Sequence, residues 1–130
     1  MIETELQCSY ARLENDVHQL VFLKSSNVAM DQCLAHLKRI YAEHPSGERL
    51  KYLIDMRPAG LPPLRYTMSA LRTFFAAYDD LPETRAAYIY ESSALVRMGQ
   101  TLLDFLRLKT ERRPFPSAEE GQAMAWLLEE

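Results

Sequence analysis

A chain of 130 residues is long enough to bury one core without metal or disulfide staples. Its composition, 48% hydrophobic and 25% charged, is that of a globular domain and excludes a disordered or fibrous chain. A formal net charge of −3, with basic residues scattered and Arg112-Arg113 too short to form a patch, excludes the electrostatic footprint of a nucleic-acid binder.

Residues 5–13 predict a strand, because Leu6, Cys8 and Tyr10 alternate with polar or small neighbours. Glu14-Asn15-Asp16 is a turn triplet, and residues 17–24 predict a second strand paired with the first as a hairpin. Leu20-Val21-Phe22-Leu23 is nearly continuous, which predicts a strand that is central and covered on both faces. Ser25-Ser26-Asn27 can cap a helix that carries Met30, Cys33, Leu34, Leu37, Ile40 and Tyr41 inward and stops near His44-Pro45-Ser46-Gly47. Tyr52-Leu53-Ile54 is a short buried strand ending at Asp55.

A stiff loop from Met56 to Pro62 follows, and Pro62-Pro63 suits the start of a second helix. Leu64, Met68, Leu71, Phe75 and Tyr78 form its apolar stripe, with Tyr66 and Phe74 off that face, and Asp79-Asp80-Leu81-Pro82 breaks it. Residues 86–90 are a fourth strand. Ser92 or Ser93 caps a third helix with Leu95, Met98, Leu102, Phe105 and Leu106 inward and Val96, Leu103 and Leu108 beyond the stripe. Gly99 weakens that helix, which close approach of the sheet or of a partner helix would explain. Residues 110–115, with Pro114 and several charges, suit an edge strand. Ser117-Ala118-Glu119-Glu120 has the pattern of a capping box before a last helix with Ala123, Met124, Trp126, Leu127 and Leu128 inward. The expected fold is a single α/β domain over residues 1–130, β-β-α-β-α-β-α-β-α, with a mostly parallel sheet and an antiparallel N-terminal strand.

That order resembles the STAS family, and in particular the bacterial proteins related to sporulation anti-sigma-factor antagonists. Leu53-Ile54-Asp55 stands where that family has an apolar strand ending in aspartate. The stretch from Phe115 to Trp126-Leu127 resembles its closing strand, capped helix and aromatic. The resemblance implies a regulatory, non-enzymatic protein-interaction module. It departs at one point. The family's phosphoswitch antagonists carry a serine in the turn after this aspartate, whereas Asp55-Met56-Arg57-Pro58-Ala59-Gly60 holds no hydroxyl to phosphorylate.

In parallel sheets ligands collect at the carboxyl ends of the strands. Ser25, Ser26 and Asn27, the loop with Asp55 and Arg57, and Glu91, Ser92 and Ser93 are expected there, each before a helix N-terminus. Arg57 and Arg65 would add charge-assisted contacts, and Tyr66 stands beside them. The same serines and asparagine are ordinary helix caps, and Asp55 can simply accept hydrogen bonds from its own turn.

Cys8 and Cys33 sit among apolar residues and read as buried thiols, not as a disulfide framework. His18, His36 and His44 lack the second ligand pair that a zinc site needs, although Cys33 and His36 are three apart on one helix. Asp79-Asp80 and Glu119-Glu120 read as solvated helix ends. No Gly-x-Ser-x-Gly elbow, Gly-x-Gly-x-x-Gly or Walker loop occurs, so neither catalysis nor a cofactor is expected. Met1-Ile2-Glu3-Thr4-Glu5 lacks the regions of a signal peptide, and no apolar run nears the ~20 residues of a membrane helix, so a cytoplasmic chain is expected.

Three functions compete. The first is docking of another protein, with a homodimer through the second and third helices. The second is a small-ligand domain for a lipid or an anion, entered beside Met56, Leu61, Leu64 and Tyr66. The third is an enzyme built on Asp55, Glu91, Arg57 or Tyr66, which no spacing in the chain demands.

Overall fold

A computed structural model describes residues 5–44, 47–78, 81–107 and 110–129. The expected stop at Pro45-Ser46, the break at Asp79-Asp80, Leu108 on the third helix, and Met1 to Thr4 lie outside them. The strands are β1 (Cys8–Arg12), β2 (His18–Phe22), β3 (Leu50–Asp55), β4 (Thr84–Tyr90) and β5 (Glu111–Pro116). The helices are α1 (Asn27–Glu43), α2 (Leu64–Ala76), α3 (Ser93–Leu106) and α4 (Glu120–Leu127), the last preceded by a single 3-10 turn, Ser117–Glu119. β1 runs antiparallel to β2, and every other neighbouring pair is parallel, as the element order predicts.

The sheet order is β1-β2-β3-β4-β5, without reversal. Right-handed crossovers in an unreversed sheet all fall on one side. Accordingly α1, α2 and α3 cover one face, over Leu20, Phe22, Leu50, Tyr52, Ile54 and Tyr90. α4, which no strand follows among the described residues, covers the other with Ala123 and Leu127, over Leu53, Ala87, Ile89 and Phe115. Pro114 lies in β5 at the edge of the sheet, where among the described residues no further strand needs its missing N–H. Cys8 and Cys33 are both buried free thiols, as their apolar neighbours predict.

Several expected faces are rotated. β2 is flanked by strands on both sides but fully covered on one face only. Leu20 and Phe22 are buried, whereas Val21 is half-buried and Leu23 exposed, because α4 packs over β3 to β5 and stops short of β2. On α2 the buried residue is Thr67. Tyr66 and Phe74, expected off the inward face, pack towards the core with Ala70 and Leu71, while Leu64 is exposed. The cause is α1: the Tyr66 hydroxyl donates to Asp31, and Phe74 lies 5.9 Å from the Tyr41 ring, which turns α2 towards its helical neighbour.

On α3 the contact line is centred on Gly99. A Cβ there would lie 2.7 Å from the Tyr90 ring, so the glycine permits close approach of the sheet. Positions three and four residues away then face inward, which brings in Val96 and Leu103 and leaves Met98 and Phe105 exposed. The expected capping box does not form. Glu119 is the N-cap without a side-chain bond: Ser117 opens a 3-10 turn in which the Glu120 N–H donates to the Ser117 carbonyl, and the Ser117 hydroxyl accepts from Arg57. Leu128 lies just past α4 and is exposed.

Candidate functional site

The carboxyl ends of β2, β3, β4 and β5 form one edge, and the expected residues gather along it. The Ser25 hydroxyl donates to the Leu61 carbonyl, tying the loop after β2 to the loop after β3. Ser26 accepts from the Ala29 N–H at 3.0 Å as the cap of α1 and donates to the Gln7 side chain. Ser92 accepts from the Leu95 N–H at 3.3 Å as the cap of α3. Asn27, Arg65, Glu91 and Ser93 are exposed at this edge. Glu91 does not join Asp55 in a buried carboxylate pair.

Asp55 and Arg57 form the densest polar cluster. One Asp55 oxygen accepts from the Arg57 N–H and Nε, each at 3.0 Å, and the other accepts from Nη2 at 2.9 Å. Arg57 also donates to the Ser117 hydroxyl at 3.0 Å and to Glu120 at 3.1 Å. The tight turn Met56 to Gly60 permits this. Gly60 donates to the Met56 carbonyl at 2.7 Å with φ +79°, a left-handed conformation that favours glycine. Burial pushes the Asp55 carboxyl pKa up, but the hydrogen bonds and charge of Arg57 outweigh it and hold the carboxyl below its ordinary value. Arg57 in turn is held protonated chiefly by its hydrogen bonds to Asp55, which outweigh the opposing effect of burial, with Glu120 adding a lesser share. Glu120, read from sequence as a solvated helix end, is therefore an ion-pair partner. The cluster is a clasp between β3 and the start of α4, and its hydrogen-bonding capacity is spent on itself.

Topology explains why this edge is filled. The binding crevice of open α/β sheets opens where the strand order reverses and successive helices diverge to opposite faces. Here the order does not reverse. Apart from a hollow of about 410 Å³ at the amino ends of β3 and β4, lined by Tyr41, His44, Glu48 and Pro82, the open space lies among the three helices on one face.

Two features stand there. A groove of about 310 Å³ between α2 and α3 is lined by Leu61, Leu64, Met68, Met98, Leu102 and Phe105. Leu64, Met98 and Phe105 are 50%, 52% and 63% exposed. A smaller cavity of about 70 Å³ lies deeper, between the helices and the sheet. Tyr52, Thr67 and Arg112 line it, and the hydroxyls of Tyr52 and Thr67 are buried without a partner among the described residues. Sequence reasoning missed these three. Thr67 and Tyr52 look like ordinary helix and strand residues, and Arg112 looks like part of a charged edge. Only the register, which sets Arg112 beside Ala86 in the next strand, turns it to the helix side while Arg113 stacks on Phe115 on the other. Met56, expected at an entrance, is buried and lines the cavity, whereas Leu64 lines the outer groove.

The histidines make local contacts. The Tyr10 hydroxyl and His18 Nδ1 share a hydrogen bond of 2.7 Å, and His36 stacks on Tyr10 and bonds the Cys8 carbonyl. Among the described residues no three His, Cys, Asp or Glu side chains come together as a metal site, and no helix is long and apolar enough to cross a membrane.

The chain matches no protein-family model, no curated protein and no solved structure.

Proposed function

We propose that the chain is a non-enzymatic protein-interaction module of the STAS-like regulatory type, working in the cytoplasm and docking its partner through the α2–α3 groove. The observation that carries this reading is the row of large apolar side chains, Leu64, Met98 and Phe105, left exposed on one face. Adjacent helices that leave such residues together offer the desolvating patch of a protein contact. A second copy of the chain is the first partner to test, in keeping with the homodimer through these two helices. The residues that carry it differ from the sequence expectation: Tyr66, Phe74, Val96 and Leu103 pack towards the interior or line its cavity.

The test compares wild type with Met98→Asp/Phe105→Asp, by sedimentation at micromolar concentration and by affinity capture of the same candidate partner. Association that weakens at least about tenfold in the variant supports the reading, since two buried apolar anchors are worth more than one decade. Association unchanged by the two aspartates rejects the groove, and a wild type that stays monomeric rejects the dimer.

A second reading, a small-ligand domain, is favoured by the deeper cavity. It moves the ligand from the carboxyl-edge loops to the space beneath α2.

A further inference from the structure

α2 packs chiefly on α1, and the cavity separates it from the sheet. The walls are apolar, among them Phe22, Met30, Ile54, Leu71 and Leu102, which would serve equally well in a dry core. The polar groups are what a dry core does not need. Tyr52 and Thr67 are 1% and 3% exposed, and neither hydroxyl has a partner among the described residues. Arg112 reaches the same space from β5. Its Nη1 donates to the Tyr88 hydroxyl at 2.6 Å and its Nε to the Thr110 hydroxyl at 2.8 Å, so that Nη2 of this half-buried side chain is left without a protein acceptor among the described residues. The guanidinium also lies 5.7 Å from the centre of the Phe75 ring. Among the described residues no carboxylate pairs with it.

We infer that this cavity binds an amphipathic monocarboxylate, its carboxylate on Arg112 and the Tyr52 and Thr67 hydroxyls and its apolar tail among the leucines. A planar carboxylate suits a guanidinium, and each of its oxygens can accept a further hydroxyl. One cation calls for one negative charge: a phosphate dianion would leave charge uncompensated in an apolar space, and among the described residues no lysine or second arginine lines the cavity. The cavity, at about 70 Å³, holds the head group and the first carbons only. Leu102 lines both this cavity and the outer groove, so a longer tail passes between α2 and α3 at that residue. Thr67 is the one fully buried residue of α2, with Tyr66, Ala70, Leu71 and Phe74 only partly buried beside it.

This inference does not rest on the docking reading. The charged end is recognised inside, away from Met98 and Phe105, so a chain that fails to associate can still bind the acid.

The experiment titrates the full chain with butyrate, hexanoate and octanoate, with octanol as the uncharged control, by calorimetry and amide NMR. The expected result is saturable binding that strengthens about fourfold per added methylene while the tail is being buried. Shifts should centre on β3, β5 and α2. Octanol should bind at least about tenfold more weakly than octanoate. Arg112→Gln should weaken octanoate at least about tenfold. Thr67→Val, which keeps the shape of the side chain and tests the site should Arg112→Gln fail to fold, should weaken it about threefold with its melting temperature no lower than wild type. Three results would overturn the inference: no saturable binding at millimolar octanoate, equal binding of octanol, or octanoate affinity unchanged in Thr67→Val. The first would assign the cavity to ordered water.

Discussion

The two faces of the sheet are packed by different rules. The back face carries one short helix, and its core of Val17, Leu53, Ala87, Ile89, Phe115, Ala123 and Leu127 is buried almost completely. Arginines hold that helix at both ends. Arg57 clasps its start, and Arg85 donates to the Trp126 and Glu129 carbonyls at 2.9 and 3.0 Å while lying over the Trp126 ring. The front face carries three helices yet leaves a cavity, an exposed apolar groove and two buried hydroxyls without partners among the described residues, against one such atom, Arg85 Nε, on the back. The smaller back core is closed tightly by one helix, and room for a partner or ligand lies on the larger front core, where three helices must share a twisted surface.

The largest effect that would break this contrast is expected on the back face. Leu127→Ala should lower the unfolding free energy by about 3 kcal/mol in urea titration, because Leu127 is wholly buried in a core that cannot collapse around the gap. A loss under about 1 kcal/mol would show that the back face is as slack as the front.

Gly99→Ala probes the one tight point on the front face. An alanine there gains helix propensity but drives its Cβ into the Tyr90 ring, and a net loss of about 2 kcal/mol is expected by thermal unfolding. A stabilised variant would mean that Tyr90 moves aside and that slackness extends along the whole of α3.

Arg57→Ala should cost about 1–2 kcal/mol, discounted because Arg57 and Glu120 remain partly in water. Its signature lies in the pH profile. The folded carboxyl of Asp55 titrates lower than the unfolded one, so its contribution is complete above the unfolded value of about 3.9 and disappears as pH falls through the folded value. Wild type should therefore lose stability over that acid window, and Arg57→Ala should flatten the loss.

The smallest effect has the opposite sign. Tyr52→Phe removes a buried hydroxyl that has no partner among the described residues and should gain about 0.5–1 kcal/mol without ligand, read as a raised melting temperature. A loss of that size would place a structural water on Tyr52 and weaken the contrast between the faces.

Element order and sheet direction were legible because they rest on period and punctuation. The alternation at Cys8 and Tyr10, the caps at Ser26 and Ser92 and Pro114 at the edge are local signals with which the fold agrees, whereas Leu6 of the same alternation is exposed ahead of β1 and Pro63 stands at the N-cap of α2, not in its first turn. The azimuth of a helix is not local. Which side of α2 faces in was decided by Tyr66 and Phe74 reaching α1, and on α3 by a glycine that let Tyr90 approach. At the candidate site, Asp55 and Arg57 were found on the right edge, but their mutual saturation was not legible. It needs Ser117 and Glu120, some 60 residues away in the chain. The cavity was illegible for the same reason, since Tyr52, Thr67 and Arg112 come from three separate elements.

The lateral order of the strands also bears on synthesis. Each strand from the second onward finds its neighbour already made, so the sheet can lengthen in step with a chain emerging from the ribosome. The back helix is out of step. Until residues 120–127 emerge, Leu53, Ala87 and Ile89 lack the cover of Ala123 and Leu127, whose helix the arginine clasp then fixes at its start.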